Sequence, residues 1–162
     1  LVSYFGVSGV LDIGSGFGMA RDGYRTMEIF NNSLFATSPR DFWSRRWNLT
    51  VRNSMHRLIF TPLNGTKRPA LAVTCIFAFS AILHEYIVVA ALGYTKGHMT
   101  LFFALHGTVT MVQGFWLHKR SNRPLFPQPI AVVLHNTWFI ATSYLFFSPF
   151  LTAVPFDSWR LW

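Results

Sequence analysis

The sequence predicts an all-α protein, a multi-pass transmembrane helical bundle with an amphipathic helix on its cytosolic side. Hydrophobic residues form 51% of the 162-residue chain and charged residues only 12%, whereas about a quarter of a soluble domain is charged. Three apolar stretches of about 20 residues, 71–92, 98–117 and 130–151, are long enough to cross a bilayer. Most basic residues lie between Arg21 and Arg68, a pattern typical of membrane-flanking cytosolic loops.

Residues 1–20 are a weaker candidate for a fourth span, because this stretch is rich in glycine and contains Asp12. Its glycines at 14, 16 and 18 resemble a nucleotide-binding loop, but that loop requires further strand–helix units, and apolar spans follow instead. We therefore interpret these glycines as sites of close helix packing. The chain begins with Leu1, and we expect further spans upstream, so that 1–162 is the C-terminal part of a larger membrane domain.

Residues 39–60 are predicted to form the amphipathic helix. Ser38 can cap its start, Pro39 suits its first turn, and Asp41 completes a capping box. Its apolar residues recur every four positions, which predicts one continuous stripe facing the membrane. That stripe consists of Trp43, Trp47, Val51, Met55 and Ile59.

Loop charge predicts the orientation of the bundle. The loops 21–70 and 118–129 are rich in Lys and Arg, whereas the short turn 93–97 has only Lys96. The positive-inside rule places the two basic loops in the cytosol. Glycosylation sequons begin at Asn31, Asn48 and Asn64 and would favour the lumen, but short sequons arise often by chance and the charge pattern favours the cytosol.

His84 and Glu85 lie inside the span 71–92, where ionisable side chains are costly and usually functional. Ser80 precedes His84 by one turn on the same face. A structural alternative is a histidine that is satisfied by a neighbouring helix. Glu85 points about 100° away from His84 around the helix axis, and we expect it to have a structural role.

His106, Thr110 and Gln113 share one face of the span 98–117. Such a polar stripe in an apolar helix suggests a hydrated cavity, and we expect His106 and Gln113 to contact substrate there. The alternative is that they form hydrogen bonds between helices. Since His84 and His106 are equally far along the chain from Thr95, they are predicted to lie at the same depth in a hairpin.

Other kinds of site are excluded by composition and spacing. Cys75 is the only cysteine, so the chain has no internal disulfide and no CxxC metal motif. Cys75 cannot pair with His84 as a nucleophile, because nine residues of helix separate them by about 13 Å. The histidines show no metal-ligand spacing, so we expect neither a metal nor a cofactor. The basic charge is not spread over a soluble surface, and we expect no nucleic-acid partner.

Three motifs occur in order between about residues 30 and 118. One of them, Ser80-Ala81-Ile82-Leu83-His84-Glu85-Tyr86, resembles the active-site histidine segment of the membrane-bound O-acyltransferase family. Residues 40–48 are similar to the R-D-F-W-x-R-R-W-N segment of plant-type wax synthases, which replaces the F-Y-x-D-W-W-N segment found elsewhere in the family. Residues 102–107 are similar to the wax-synthase pattern that follows the histidine helix.

The resemblance implies a function in the endoplasmic reticulum membrane, among membrane lipids. It implies transfer of a fatty acyl group from acyl-CoA, the co-substrate, to a long-chain alcohol to form a wax ester. Diacylglycerol, a sterol or a terpenoid alcohol are alternative acceptors, because pocket shape sets this choice. It further implies catalytic roles for His84 and Asn48, and substrate contacts for Arg45, Arg46, Trp47 and Arg52.

Two other hypotheses stay open at the level of sequence. A transporter or channel subunit would use His84, Glu85 and His106 as an intramembrane proton path, although the inverted repeats typical of transporters are not visible. A truncated, inactive homologue is the other hypothesis. The sequence contains no information on the oligomeric state.

Overall fold

The structure, a computed structural model, describes residues 29–119 and 126–153, and every regular element in these ranges is helical. The all-α class is therefore confirmed for this part of the chain, whereas the weaker span predicted over 1–20 lies outside it. A 3₁₀ turn at Ser33–Phe35 precedes five helices. These are α1 (Pro39–Asp41, continued by a π-helical turn at Phe42–Arg46), α2 (Leu49–Met55, continued by a π-helical turn at His56–Phe60), α3 (Pro69–Leu92), α4 (His98–Lys119) and α5 (Gln128–Ala153).

The three long helices coincide with the three predicted spans to within two residues at each end. By length and composition, α3 and α5 are apolar enough to cross a membrane, whereas α4 is the least apolar of the three. Only 11% of the most apolar window of α3 and 17% of that of α5 is buried inside the protein. These helices thus differ from the core helices of soluble proteins, which bury most of their apolar surface.

Helices α3 and α4 form the predicted antiparallel hairpin. Contacting pairs run in opposite directions along the two helices: Thr74 with Met111, Phe77 with Gly107, His84 with Phe103, and Glu85 with Thr100. His84 is thus level with Phe103, and His106 lies about one turn further from the connection. The equal-depth prediction is wrong, because hydrogen bonds from Thr100 to the Glu85 carboxylate fix a register that is not symmetric about Thr95.

Helix α5 packs antiparallel to α4 and completes a three-helix arrangement. The contacts between them are Phe102 with Phe146, His106 with Thr142, and His98 with Ser148. The buried cluster between the helices is largely aromatic. It consists of Ala81, Phe102 and Phe103, surrounded by Trp43, Phe77, Leu145 and Phe146.

Residues 39–60 form two helices instead of the single amphipathic helix that the sequence predicts. Trp47 is extended and Asn48 adopts the left-handed conformation, with φ 42° and ψ 65°, which turns the chain between α1 and α2. The apolar stripe is therefore not continuous: Trp43 packs into the aromatic cluster, whereas Val51 is 48% exposed. Asparagine is one of the few residues that adopts this conformation readily, and the apolar periodicity does not reveal such a break.

The predicted start of α1 is confirmed. The Ser38 hydroxyl accepts a hydrogen bond from the Asp41 amide at 3.0 Å, and Pro39 occupies the first turn. The Asp41 carboxylate accepts from the amide of Thr37 at 3.2 Å. Capping of this kind satisfies amide groups that the helix itself leaves unpaired, so α1 has a defined start at the edge of the bundle.

Candidate active site

His84 projects from the C-terminal half of α3 into an aromatic environment. Its ring lies 4.5 Å from the Phe103 ring and 5.8 Å from the Phe146 ring, measured between centroids. Its Nδ1 atom is 2.8 Å from the Ser80 carbonyl oxygen. A carbonyl oxygen can only accept, so Nδ1 carries the hydrogen, and in a neutral imidazole the lone pair then lies on Nε2. Among the described residues Nε2 has no hydrogen-bond partner, which leaves it able to accept a proton.

Glu85 points away from His84, as its position on the helix predicts. Its Oε2 atom accepts hydrogen bonds from the Thr100 amide at 2.9 Å and from the Thr100 hydroxyl at 2.8 Å. Thr100 is in the first turn of α4, where unpaired amides and the helix dipole favour a carboxylate. The arrangement gives Glu85 a structural role, joining α3 to the start of α4.

Asn48 lies at the junction of α1 and α2 and caps α2. Its Oδ1 atom accepts a hydrogen bond from the Val51 amide at 3.2 Å. Its Nδ2 group makes no hydrogen bond within the described part of the chain, and the residue is partly exposed. The cap therefore uses the Oδ1 atom of this side chain, and its Nδ2 hydrogens are available to a ligand.

The basic side chains expected to bind substrate have different environments. Arg46 donates from Nε to the Asp41 carboxylate at 2.7 Å and from a terminal nitrogen to the Asn32 carbonyl at 3.2 Å, so this guanidinium serves the local structure of α1. Arg45 is exposed, and its guanidinium has no partner among the described residues. Arg52 is also exposed, and within the described ranges its guanidinium donates a hydrogen bond to the neighbouring Asn53 side chain at 2.7 Å.

Trp47 is part of an aromatic stack next to these arginines. Its ring is stacked on Phe42 at 5.3 Å, with an interplanar angle of 17°, and lies 4.9 Å from Phe30. Phe42 in turn contacts His135 and Phe139 of α5. In this structure Trp47 thus anchors the end of α1, and its expected contact with substrate stays a prediction.

His106 is fully buried, with both ring nitrogens paired to protein groups. The Trp43 indole donates to Nδ1 at 3.1 Å, and Nε2 is 2.9 Å from the Thr142 hydroxyl. The sequence predicts direct contact between this ring and substrate, but the geometry instead supports the alternative role as a bond between helices. The long-range contact with Trp43 is not visible in the sequence, because the two residues are 63 positions apart.

Two further hydrogen bonds attach the segment before Asn48 to the bundle. The Gln113 side chain of α4 accepts from the Arg40 amide at 3.2 Å. The Asn136 side chain of α5 donates to the Leu34 carbonyl at 2.9 Å. The Gln113 side chain, which was expected to contact substrate, therefore hydrogen-bonds the first turn of α1 in this structure.

Three buried polar atoms on α4 and α5 have no partner among the described residues: Thr110 Oγ1, His135 Nδ1 and Trp138 Nε1. Two of them lie near His106, since Trp138 is 5.9 Å from it between ring centroids and Thr110 follows it by one helical turn. None of the described His, Cys, Asp and Glu residues form a group that would hold a metal ion. The sequence indicated Thr110 as part of the polar stripe but did not indicate His135 or Trp138.

Comparison with known proteins identifies the family. The profile of the membrane bound O-acyl transferase family matches residues 26–105. Through this segment, the chain belongs to the membrane bound O-acyl transferase family. No solved structure matches the chain.

Several relatives are plant acyltransferases. A probable long-chain-alcohol O-fatty-acyltransferase 7 of Arabidopsis thaliana is 31% identical over 93 residues, which is 52% of this chain and 27% of the relative. The acyl-CoA–sterol O-acyltransferase 1 of Arabidopsis thaliana is 31% identical over 129 residues, covering 74% of this chain and 37% of the relative. The long-chain-alcohol O-fatty-acyltransferase of Simmondsia chinensis is 31% identical over 93 residues, 52% of this chain and 26% of the relative. The chain thus spans between about a quarter and slightly more than a third of their length.

The match to the membrane bound O-acyl transferase family covers only part of the site described above. Asn48 and His84 lie inside the matched residues 26–105, together with Arg45, Arg46 and Arg52. The match ends one residue before His106, so the buried hydrogen bond between His106 and Thr142 lies beyond its edge.

Proposed function

We propose that this chain contributes the catalytic part of a membrane enzyme that transfers a fatty acyl group from acyl-CoA to a long-chain alcohol. The observation that supports this most directly is the hydrogen bond from His84 Nδ1 to the Ser80 carbonyl. It orients the ring and leaves Nε2 as the basic nitrogen. A base at this position, with aromatic rings around it, suits an acceptor that arrives through the apolar part of a bilayer.

In the proposed reaction, His84 Nε2 takes the proton from the alcohol hydroxyl as the alcohol oxygen attacks the thioester carbonyl carbon. The new carbon–oxygen bond forms an ester, the carbon–sulfur bond breaks, and CoA leaves as a thiolate that recovers the proton from the imidazolium. The reaction requires no acyl-enzyme intermediate. The free Nδ2 group of Asn48 is available to hydrogen-bond the acyl carbonyl or the CoA arm.

The charge distribution supports an acyl-CoA site on the side of α1 and α2. Between residues 29 and 70 the chain has seven Lys and Arg against a single acid, Asp41. Since Asp41 is paired with Arg46, the other cations have no acidic partner in this segment. Exposed guanidinium groups such as those of Arg45 and Arg52 suit the phosphates of CoA. We place this side in the cytosol and the enzyme in the endoplasmic reticulum membrane, as the positive-inside rule and the resemblance suggest.

A sterol is the second candidate acceptor. The sterol acyltransferase relative aligns with 74% of this chain, and a probable long-chain-alcohol O-fatty-acyltransferase 8 of Arabidopsis thaliana aligns with 73%, so relatives of both kinds match most of the chain. A long-chain alcohol remains our first choice, because residues 40–48 are similar to the wax-synthase segment. Both acceptors present a single hydroxyl to the same base, so the mechanism is unchanged.

The proposal can be tested with the full-length gene product in microsomes, supplied with labelled acyl-CoA and a panel of alcohols and sterols. We expect ester formation by the wild type and a loss of about 10²- to 10⁴-fold in His84→Ala. Phe79→Ala is a matched control, because Phe79 is another α3 residue and is 44% exposed. Ester formation at the wild-type rate in His84→Ala, at equal protein abundance, would defeat the mechanism.

A further inference from the structure

A buried chain of hydrogen bonds connects α1 to the two helices behind it. The Trp43 indole donates to His106 Nδ1, the ring nitrogen Nε2 of His106 pairs with the Thr142 hydroxyl, and that hydroxyl lies 3.0 Å from the Trp138 carbonyl. We propose that His106 is a positioning residue that holds the α1 segment in place for acyl-CoA binding. This inference deepens the proposed function and depends on it.

The direction of every hydrogen in this chain follows from chemistry. An indole nitrogen can only donate, so Nδ1 of His106 accepts and the ring hydrogen lies on Nε2. Nε2 then donates to Thr142, whose own hydrogen points to the carbonyl oxygens of Trp138 and Phe139, at 3.0 and 3.2 Å, which can only accept. Each group thus selects the state of the next one, and Thr142 fixes the His106 tautomer that Trp43 requires.

The chain of hydrogen bonds crosses three separate elements. Trp43 belongs to the π-helical turn of α1, His106 to α4, and Thr142 to α5. His106 is also packed against Phe102, with ring centroids 4.2 Å apart. Removing His106 would leave the indole donor of the partly buried Trp43 without its partner, a cost that the surrounding apolar rings increase.

Contacts between aromatic rings also link α1 to α3, the helix that carries His84. Phe103 lies 6.1 Å from Trp43 and 4.5 Å from His84, measured between ring centroids. Trp43 is followed within two residues by Arg45 and within five by Asn48. The placement of Trp43 therefore sets where the exposed guanidinium and the free amide of this segment lie relative to His84.

His106 and Thr142 act at a distance from the proposed substrate groups. His106 is fully buried and Thr142 is 6% exposed, so a change at Thr142 alters substrate binding through Trp43 and not by direct contact. We expect such a change to weaken binding of acyl-CoA, which needs the α1 segment, and to leave the Michaelis constant for the alcohol unchanged.

The first experiment tests the hydrogen bonds without using activity. Trp43→Phe, His106→Phe and the double variant of the full-length protein are purified in detergent and their thermal unfolding is measured. We expect each single variant to lower the melting temperature by about 2–4 °C and the double variant to lower it by less than the sum. Strictly additive shifts would overturn the coupling between Trp43 and His106.

The second experiment measures kinetics in Thr142→Val and Thr142→Ser. Valine has a similar shape without the hydroxyl, and serine keeps the hydroxyl as the matched control. We expect Thr142→Val to raise the Michaelis constant for acyl-CoA about 3- to 10-fold with little change in turnover. We expect Thr142→Ser to keep this Michaelis constant close to the wild-type value. An unchanged constant in Thr142→Val, or an equal rise in Thr142→Ser, would overturn the positioning role.

The two experiments separate this inference from the proposed function. If the wild type makes no ester with any acceptor, the proposed function fails and so does the positioning role that depends on it. The melting temperatures of Trp43→Phe, His106→Phe and the double variant then still decide whether Trp43 and His106 are coupled by this hydrogen bond. If the wild type is active and Thr142→Val has the wild-type Michaelis constant for acyl-CoA, the proposed function stands and this inference fails.

Discussion

His84 donates its Nδ1 hydrogen to the Ser80 carbonyl one turn earlier in α3, at 2.8 Å. The same helix therefore supplies both the ring and the group that fixes its tautomer. Such a bond needs no second element, so the orientation of Nε2 depends on the local geometry of α3. It also makes a specific prediction about which ring nitrogen acts in the reaction.

We expect replacement of His84 by Nδ1-methylhistidine to lower the rate of acyl transfer but to keep it well above that of His84→Gln. This residue keeps its lone pair on Nε2, whereas its methyl group has no room beside the Ser80 carbonyl oxygen, 2.8 Å from Nδ1, and the ring must turn. His84→Gln, which has no basic nitrogen, is expected to be as inactive as His84→Ala. Ester formation in microsomes measures both. An Nδ1-methyl variant as inactive as His84→Gln would contradict the assignment of Nε2 as the base.

The structural and catalytic roles of Asn48 can be separated, because its Oδ1 atom caps α2 and its Nδ2 group is the proposed donor to substrate. Asn48→Asp keeps the acceptor for the Val51 amide and tolerates the left-handed backbone, but it removes the Nδ2 donors. We expect wild-type melting temperature and a large loss of ester formation in this variant. Asn48→Gly, which keeps the backbone conformation and costs only a few tenths of a kcal/mol as a cap, is expected to behave similarly.

Asn48→Ala is a poor probe by comparison, since alanine disfavours a φ of 42° and removes the cap at the same time. A loss of activity there would mix folding with catalysis. If Asn48→Asp turns over at the wild-type rate, the amide donors have no part in the reaction.

The helices of this protein could be predicted from its sequence because their cause is local. An apolar run of about 20 residues requires a helix in a bilayer, where every backbone group must be paired within the segment. The cap at Ser38 was predictable for the same reason, since its partner Asp41 is three residues away. His84 stood out because an ionisable group within an apolar run is rare.

The remaining features depend on contacts that periodicity does not encode. The break at Asn48 reflects a left-handed backbone at one residue, which leaves the apolar spacing intact. The hairpin register depends on Glu85 capping α4 through Thr100, and this displaced His106 by one turn from its predicted level. The pairing of Trp43 with His106 joins residues 63 positions apart and emerged only from the packing of α1 on α4.

Replacing Arg45 or Arg46, which are adjacent at the end of α1, is predicted to change different properties: substrate binding for Arg45 and stability for Arg46. Arg45→Gln should raise the Michaelis constant for acyl-CoA, more strongly at low salt, without changing the melting temperature, because its guanidinium is exposed. Arg46→Gln should lower stability by about 1–3 kcal/mol, because the Arg46 and Asp41 side chains are only 23% and 14% exposed and Asp41 would lose its charged partner while keeping the Thr37 amide.

Lys96→Gln is the control for charge, since Lys96 is an exposed cation in the connection between α3 and α4, far from α1 along the bundle. Kinetics with acyl-CoA at two salt concentrations and thermal unfolding distinguish the effects. An unchanged Michaelis constant in Arg45→Gln would remove this guanidinium from the acyl-CoA site. An unchanged melting temperature in Arg46→Gln would show that the pair with Asp41 does not stabilise α1.

Two glycines of α4 provide a test of the packing between α3 and α4. A Cβ atom at Gly107 would lie 2.9 Å from both Cβ and Cγ of Phe77, which are close to the backbone and cannot move aside easily. A Cβ atom at Gly114 would meet nothing within 4 Å. We expect Gly107→Ala to destabilise the protein by about 1–3 kcal/mol and Gly114→Ala to stabilise it by about 0.5–1 kcal/mol. The measurement is thermal unfolding in detergent.

Phe77 also touches Trp43, at 5.9 Å between ring centroids, so Gly107→Ala should also raise the Michaelis constant for acyl-CoA, whereas Gly114→Ala should not. Equal melting temperatures for the two variants would mean that α3 and α4 do not approach each other at Gly107 as closely as the structure indicates.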